Sequence, residues 1–459
     1  MSHATIVFEK DAVVTGNKTL QSVVENSKQA YEVQVVGDDL YVIVKEIKEK
    51  KQTLDEVRML AGNIARDLGK RKVDEAKVNE QEVAEAFAQD EADAVTAFVE
   101  GWNLGAYTFL TYKSKGEKFV TTLTFADEEA TKEAAEVGKL RAEATSFTRD
   151  LMNEAPQALN PDTFPQVLVD EFANTDVEVQ VYDKAKLEVM EMNGILAVGR
   201  GSEHEPAFVE MTYKGDDSKP LVALVGKGVT FDTGGISLKA GRNLSDMRMD
   251  MGGAAAVAGA MKLLALTKAK VNVVALIQIV ENMPDSKSLL PGEVITYKTG
   301  QTVQVGNTDA EGRLILADGL IRAGELEADY VVNIATLTGA VVAALGPSVA
   351  GIFGDEELMD EMKKIGDENG DRVWPLPLVE DYERTLSSDY ADFSNISNQA
   401  SAGSITAGLF LRKFVHDPSK WIHVDKAGRM DGKDKGYYAK GAPGFGARLL
   451  ADFTEHVSK

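Results

Sequence analysis

Two carboxylates and a guanidinium stand at alternate positions in the run Gly306-Asn307-Thr308-Asp309-Ala310-Glu311-Gly312-Arg313-Leu314. In an extended chain, residues two apart share a face, so Asp309, Glu311 and Arg313 would point together. Carboxylates held that close repel unless a cation separates them, and Arg313 lies one residue too far along to serve both without folding back. A metal ion resolves the conflict. The plainer reading is a solvated acidic turn ahead of a helix, the ordinary explanation of Asp-x-Glu in a chain with 73 acidic residues.

Upstream residues favour the metal. The apolar run Leu221 to Val225 reads as a buried strand that runs into a turn, Gly226-Lys227-Gly228-Val229-Thr230-Phe231-Asp232-Thr233-Gly234-Gly235. Lys239 follows, then Met247-Arg248-Met249-Asp250-Met251-Gly252-Gly253 and an Ala-rich helix start. Asp232 and Asp250 each precede a glycine pair, as suits carboxylates on tight turns where backbone approaches a ligand. With Asp309 and Glu311 they make four candidate oxygen ligands.

The chain has no Cys and five His, none in a His-Glu-x-x-His arrangement, which argues against a thiolate or imidazole zinc site. Carboxylates supplemented by one nitrogen hold hard or borderline divalent ions. Lys227 supplies that nitrogen only as a neutral amine. An unperturbed lysine, with pKa about 10.4, is charged at neutral pH, but a dication at bonding distance displaces the proton.

In order and spacing, Lys227, Asp232, Lys239, Asp250, Asp309, Glu311 and Arg313 resemble the leucyl (cytosol) aminopeptidase family of two-metal exopeptidases. The run Asn307 to Leu314 is that family's hallmark, supported by Val225-Gly226-Lys227-Gly228, Phe231 to Gly235, Asp250 to Ala255, Ala335 to Ala340 and the weaker Trp421-Ile422-His423-Val424-Asp425. The resemblance runs from about Arg149 to the C-terminus and fades before it. Lys426 departs from the pattern, replacing the usual apolar residue after His-x-Asp, as does Pro443 in Gly441-Ala442-Pro443-Gly444-Phe445-Gly446.

The resemblance implies one metal bound by Asp232, Asp309 and Glu311 and a second by Lys227, Asp232, Asp250 and Glu311, with manganese or zinc as the ions. It implies that a bridging water loses a proton while the scissile carbonyl is polarised and the substrate's free amine is captured, so that only the first residue of a peptide is removed. Lys239 then donates to the oxyanion, and Arg313 holds a bicarbonate that shuttles the proton. Positions matching Met247, Thr336 and Gly339 line an apolar pocket suited to Leu or Met. A homohexamer of two stacked trimers is likewise inherited from the family.

Composition agrees. The 459 residues, 44% of them apolar, suffice for two domains with sizeable cores, and the net charge of -23 argues against nucleic acid or anionic membrane as partners. The start, Met1 to Ile6, lacks a signal segment, no apolar run reaches membrane-spanning length, and absence of Cys fits a reducing compartment, so a soluble cytoplasmic protein is expected.

The elements that must position these residues form an α/β protein. Residues 1–125 read as a small α/β domain, with strands such as Asp39 to Val44 and Lys118 to Thr124 and helices near 54–68 and 81–99. The mixed-charge cluster Lys45 to Lys51 reads as a solvated strand end and turn. A connecting helix spans 126–154, with Pro156 just beyond. Residues 155–459 form the catalytic domain, in which strand-like runs at 177–182, 208–213, 221–225, 271–280 and 330–334 alternate with helices. That implies a mostly parallel, doubly wound sheet with ligands beyond the carboxyl ends of its strands. The Ser-, Asn-, Ala- and Gly-rich stretch 392–406 reads as a flexible connector or, as the resemblance implies, as a segment packed beside the active site. Three rivals stand. A phosphate-binding loop lacks the Gly-x-x-x-x-Gly-Lys-Ser/Thr spacing; a two-metal phosphoesterase is distinguished by its substrate; a noncatalytic or DNA-binding scaffold is disfavoured by acidity and by intact Lys239 and Arg313.

Overall fold

The computed structural model describes residues 3–116, 118–241, 243–433 and 435–459. The chain divides into two compact units, one of residues 1–146, 368–370 and 432–440, the other of 147–367, 371–431 and 441–459. The helix Glu128–Asn153 carries the division point at Ser146.

In the first unit a five-stranded sheet runs in the order Tyr31–Val36, Asp39–Val44, His3–Phe8, Glu75–Val78, Thr122–Phe125. Its core gathers the apolar faces of the helices Leu54–Lys70 and Glu91–Gly105, including Val57, Ile64, Phe98 and Trp102. The helical stretch expected near 81–99 is two helices, Glu80–Phe87 and Glu91–Gly105, because Ala88 turns left-handed (φ 51°) and Asp90 caps the second through the amides of Ala92 and Asp93. The strand expected over 118–124 is shorter, Thr122–Phe125.

The second unit is built on an eight-stranded sheet in the order Val373–Pro375, Ala350–Gly354, Trp421–Asp425, Tyr330–Ala335, Leu221–Asp232, Asn272–Asn282, Ala207–Lys214, Val177–Tyr182. The four central strands, Trp421–Asp425 to Asn272–Asn282, are parallel, whereas Ala350–Gly354 and Ala207–Lys214 join them antiparallel. Continuous apolar runs such as Val273-Val274-Ala275-Leu276-Ile277 suit strands covered on both faces. The segment Ser245–Leu266 passes the length and hydropathy test for a membrane span, but 83% of its most apolar window is buried inside the protein, so it is a core helix.

The strand starting at Leu221 does not stop at Val225. It continues to Asp232, with an irregularity between Val229 and Phe231, so Gly226, Lys227 and Gly228 lie within the strand and the turn begins only after Asp232. The glycines admit close neighbours: a Cβ on Gly228 would stand 2.3 Å from the carbonyl oxygen of Gln278, and one on Gly226 would stand 2.9 Å from Ala254 Cα in the helix Gly252–Leu266. Lys227 thereby acquires a rigid mid-strand root.

Candidate metal centre

The carboxyl ends of the central strands place the site. Asp232 ends one strand and pairs in register with Asn282, which ends the next. Thr336 follows Tyr330–Ala335 directly. This is where open α/β sheets collect ligands. Gly234 and Gly235 take φ of 90° and 63°, a conformation that turns the chain sharply back, and Asp232 Oδ1 accepts from the Gly234 amide at 2.9 Å.

The run from Asp309 to Arg313 is not extended throughout. Asp309 sits in a turn, and Glu311 opens the helix Glu311–Glu325, so Glu311 and Arg313 lie in its first turn. Helical propensity in Glu-Gly-Arg-Leu-Ile-Leu-Ala overrides the alternation, and a helix N-terminus favours the Glu311 carboxylate. Asp250 likewise lies just ahead of the helix Gly252–Leu266.

Oxygens of Asp232, Asp309 and Glu311 lie within 4.8 Å of one another. Lys227 Nζ lies 2.7 Å from Asp250 Oδ2, 2.8 Å from Glu311 Oε1 and 2.9 Å from the Thr336 carbonyl oxygen. Lys239 Nζ is 2.7 Å from Asp232 Oδ2 and also bonds Asp309. All seven residues singled out by chemistry except Arg313 are thus joined in one network. Arg313 is held beside it, its Nη1 donating to the carbonyl of Asn395 at 2.8 Å and its guanidinium 6.0 Å from the centre of the Phe410 ring.

Four carboxylates face two ammonium groups, so the cluster is two positive charges short, and buried charge without compensation is costly. Burial pushes the Glu311 carboxyl up to about 8, reinforced by Asp232 and only partly offset by Lys227. Burial likewise takes Asp250 to about 6 and raises Asp309. Burial pulls both lysines down, but Asp250, Glu311 and Asp232 around Lys227, and Asp232 and Glu311 around Lys239, raise each above the ordinary ammonium value. Glu311 Oε2 is buried with no hydrogen-bond partner among the described residues. An all-oxygen cluster with excess negative charge, an orphaned carboxylate oxygen and one adjacent amine fits divalent cations.

Several supporting residues carry no signal in the sequence. Asn282 Nδ2 donates to Asp232 Oδ1 and to the Thr308 carbonyl, both at 2.9 Å. Thr308 Oγ1 donates to the Gly234 carbonyl at 2.7 Å, tying the two ligand turns together. Asn395, fully buried, accepts from the amides of Gly306 and Asn307 and donates to the Asn307 carbonyl. Of the two readings of the stretch 392–406, Asn395 favours packing beside the site over a flexible connector, since it holds the acidic turn in place. Of the three pocket positions, Gly339 is exposed at the start of the helix Gly339–Leu345 and Met247 is half-buried in a short 3-10 turn. Thr336 is buried, its hydroxyl 2.7 Å from Asp250 Oδ1.

A doubly wound α/β sheet with a carboxylate-and-lysine cluster at its strand ends defines a metallohydrolase. Residues 146–451 match the catalytic domain of the cytosol aminopeptidase family and residues 48–116 its N-terminal domain, so the kinship extends into the first unit, where the sequence resemblance faded. Probable cytosol aminopeptidases of Persephonella marina and Corynebacterium diphtheriae are each 38% identical, over 422 and 412 residues, covering 90% and 88% of this chain and 85% and 80% of theirs. Among solved structures, the bottromycin maturation enzyme BotP in complex with Mn superposes with a TM-score of 0.91 at 30% identity, covering 100% of both chains. The chain belongs to the cytosol aminopeptidase family and is a metallo-exopeptidase.

Proposed function

We propose that the protein removes the first residue from peptides bearing a free N-terminal amine, with Leu and other apolar residues preferred, using two divalent ions, manganese or zinc. The observation carrying this reading is the convergence of buried Asp232 and Glu311 and half-buried Asp309 within 4.8 Å, with Lys227 against Asp250 and Glu311. Asp232, Asp309 and Glu311 would hold one ion, and Lys227, Asp232, Asp250 and Glu311 the other. When bound, the ions supply a seat for the free amine, polarisation of the scissile carbonyl and a water of lowered pKa.

The chain's own groups do the rest. Lys239 keeps its proton, because the carboxylates raise its pKa despite burial, and is the donor for the developing oxyanion. Arg313 is anchored through Nη1 on Asn395, while its Nε–H is buried with no partner among the described residues, a donor suited to an anion such as bicarbonate. A bicarbonate there would supply the proton carrier, because His423, the imidazole near enough to feel Arg313, is buried, pushed down to about 3 and bonded to Asn333. Met247, Thr336 and Gly339 are assigned to the pocket for the first side chain. A Cβ on Gly339 would meet nothing within 4 Å, whereas the Thr336 hydroxyl is engaged by Asp250, so the width of the slot rests with Met247 and Gly339. A homohexamer and a cytoplasmic location accompany this reading.

Hydrolysis of a leucine anilide and its N-acetylated counterpart, by chelator-stripped protein before and after adding manganese or zinc, tests it. The free-amine substrate alone is expected to be cleaved, and only with metal. Cleavage of both substrates removes amine capture, and cleavage of neither, with phosphate esters hydrolysed instead, establishes the phosphoesterase.

A further inference from the structure

Lys426 follows the strand Trp421–Asp425 and is 0% exposed. Among the described residues its Nζ has no carboxylate within ion-pair distance. It donates to the carbonyl oxygens of Gly252 at 3.0 Å and Phe445 at 2.8 Å, with Met152 Sδ at 3.9 Å and the centre of the Phe445 ring at 5.7 Å. Burial takes the amine down to about 7, with Asp371 opposing and Arg429 adding to the fall. Asp371 is itself engaged by Arg448 at 2.8 Å and the Gly446 amide at 3.0 Å. A Met or Leu would fill this space without desolvating an amine, so the distinctive contribution of Lys426 is its pair of hydrogen bonds.

Those bonds join two segments. Gly252 opens the helix Gly252–Leu266, two residues after Asp250, and Phe445 closes the stretch 441–445 ahead of the helix Ala447–Val457. The turn carrying Asp250 is restrained from three sides. The Thr336 hydroxyl lies 2.7 Å from Asp250 Oδ1 and 3.1 Å from its carbonyl oxygen. Gly253 backs onto the Ile334 carbonyl and the Lys227 amide so closely that a Cβ would stand 2.1 Å and 2.8 Å from them. The third restraint is Lys426 on the Gly252 carbonyl. Pro443, the other residue that departs from the family pattern, belongs to the same buried junction, its carbonyl accepting from Arg149 Nε at 3.1 Å.

From this geometry we infer that Lys426 is a positioning residue: by tying the Gly252 carbonyl to the Phe445 carbonyl through one amine, it fixes the turn that presents Asp250 to its metal. The inference rests on the assignment of Asp250 as a ligand of the second ion only.

The test is Mn2+ binding to the full-length, chelator-stripped protein, followed by equilibrium dialysis with spin-resonance counting of free ion, for wild type, Lys426→Met and Lys426→Gln. In Lys426→Met one of two sites is expected to weaken by about ten- to a hundredfold, the range typical of residues that orient a ligand, while the other changes by less than about twofold. The melting temperature is expected not to fall, since a desolvated amine has been removed, a combination that a merely structural role does not produce. Lys426→Gln, which retains an N–H donor, is expected to lie between, and it carries the same contrast if Lys426→Met does not fold. Equal weakening of both sites, or unchanged binding in a folded variant, overturns the inference. Wild-type protein that takes up fewer than two Mn2+ instead overturns the two-ion reading on which it rests.

Discussion

Gly312→Ala puts one methyl group into the centre without replacing a proposed ligand. A Cβ at this position would stand 2.7 Å from Lys227 Cε and 2.8 Å from both Cδ and Nζ. Ordinary non-bonded separations are about 3.5–4.0 Å, so the side chain must retreat by roughly 0.7–1.3 Å. A lysine tip usually swings aside easily. This one is 3% exposed and held by Asp250 at 2.7 Å, Glu311 at 2.8 Å and the Thr336 carbonyl at 2.9 Å. Losing one charge-assisted hydrogen bond costs about 1.5–3 kcal/mol, against about 1 kcal/mol gained by replacing Gly with Ala in a helix, so the metal-free protein should be destabilised by about 0.5–2 kcal/mol. Metal centres tolerate displacements of only about 0.5 Å, so affinity for the ion assigned to Lys227 should fall at least about tenfold. Calorimetric titration of stripped protein with Mn2+ and urea denaturation read the two effects. Wild-type affinity at both sites in Gly312→Ala would refute the placement of Lys227 as a ligand.

Asp309→Asn and Glu311→Gln should lose metal and activity together, whereas Lys239→Ala should bind metal normally and lose about a hundredfold or more in kcat, as read by metal analysis and single-turnover kinetics. For Lys426, the native amine near pKa 7 sits below the ordinary 10.5, so the unfolded chain binds the extra proton between those values and native stability rises with pH across that window. Denaturation between pH 7.5 and 9.5 should show wild type gaining up to roughly 1 kcal/mol per pH unit relative to Lys426→Met. Within the first unit, Glu100 is fully buried with Arg58 Nε at 2.7 Å and Arg141 Nε at 3.4 Å, so Glu100→Ala strands guanidinium charge and should destabilise that unit by about 3–5 kcal/mol in thermal or chemical unfolding.

Much of this fold was legible because hydrophobic period and length agree with tertiary context. The strands Asp39–Val44 and Val177–Tyr182 begin and end where their residue types change. The strand Leu221–Asp232 outran its apolar run because glycines that usually mark turns serve here as clearance for a neighbouring helix, a reason visible only once that helix is in place. In the site, Asp232, Asp309 and Glu311 stood out because like charges at short spacing demand an explanation. Asn282 and Asn395 did not, since an amide that braces a distant backbone leaves no local pattern: Asn395 acts on residues 88 and 89 positions away. The extended geometry in which Asp309, Glu311 and Arg313 would share a face does not hold, because a helix start and an extended run look alike over five residues.

The contrast between Gly253 and Gly339 bears on how such an enzyme can be diversified. Behind the carboxylates, an added carbon on Gly253 collides with backbone at 2.1 Å, whereas one on Gly339 meets nothing within 4 Å. Mutational libraries aimed at new substrates therefore have a rigid floor and a permissive rim. If Met247 and Gly339 line the proposed pocket, varying them should change selectivity while leaving the reacting centre untouched, whereas a library that randomises the glycines beneath it should consist mostly of inactive clones.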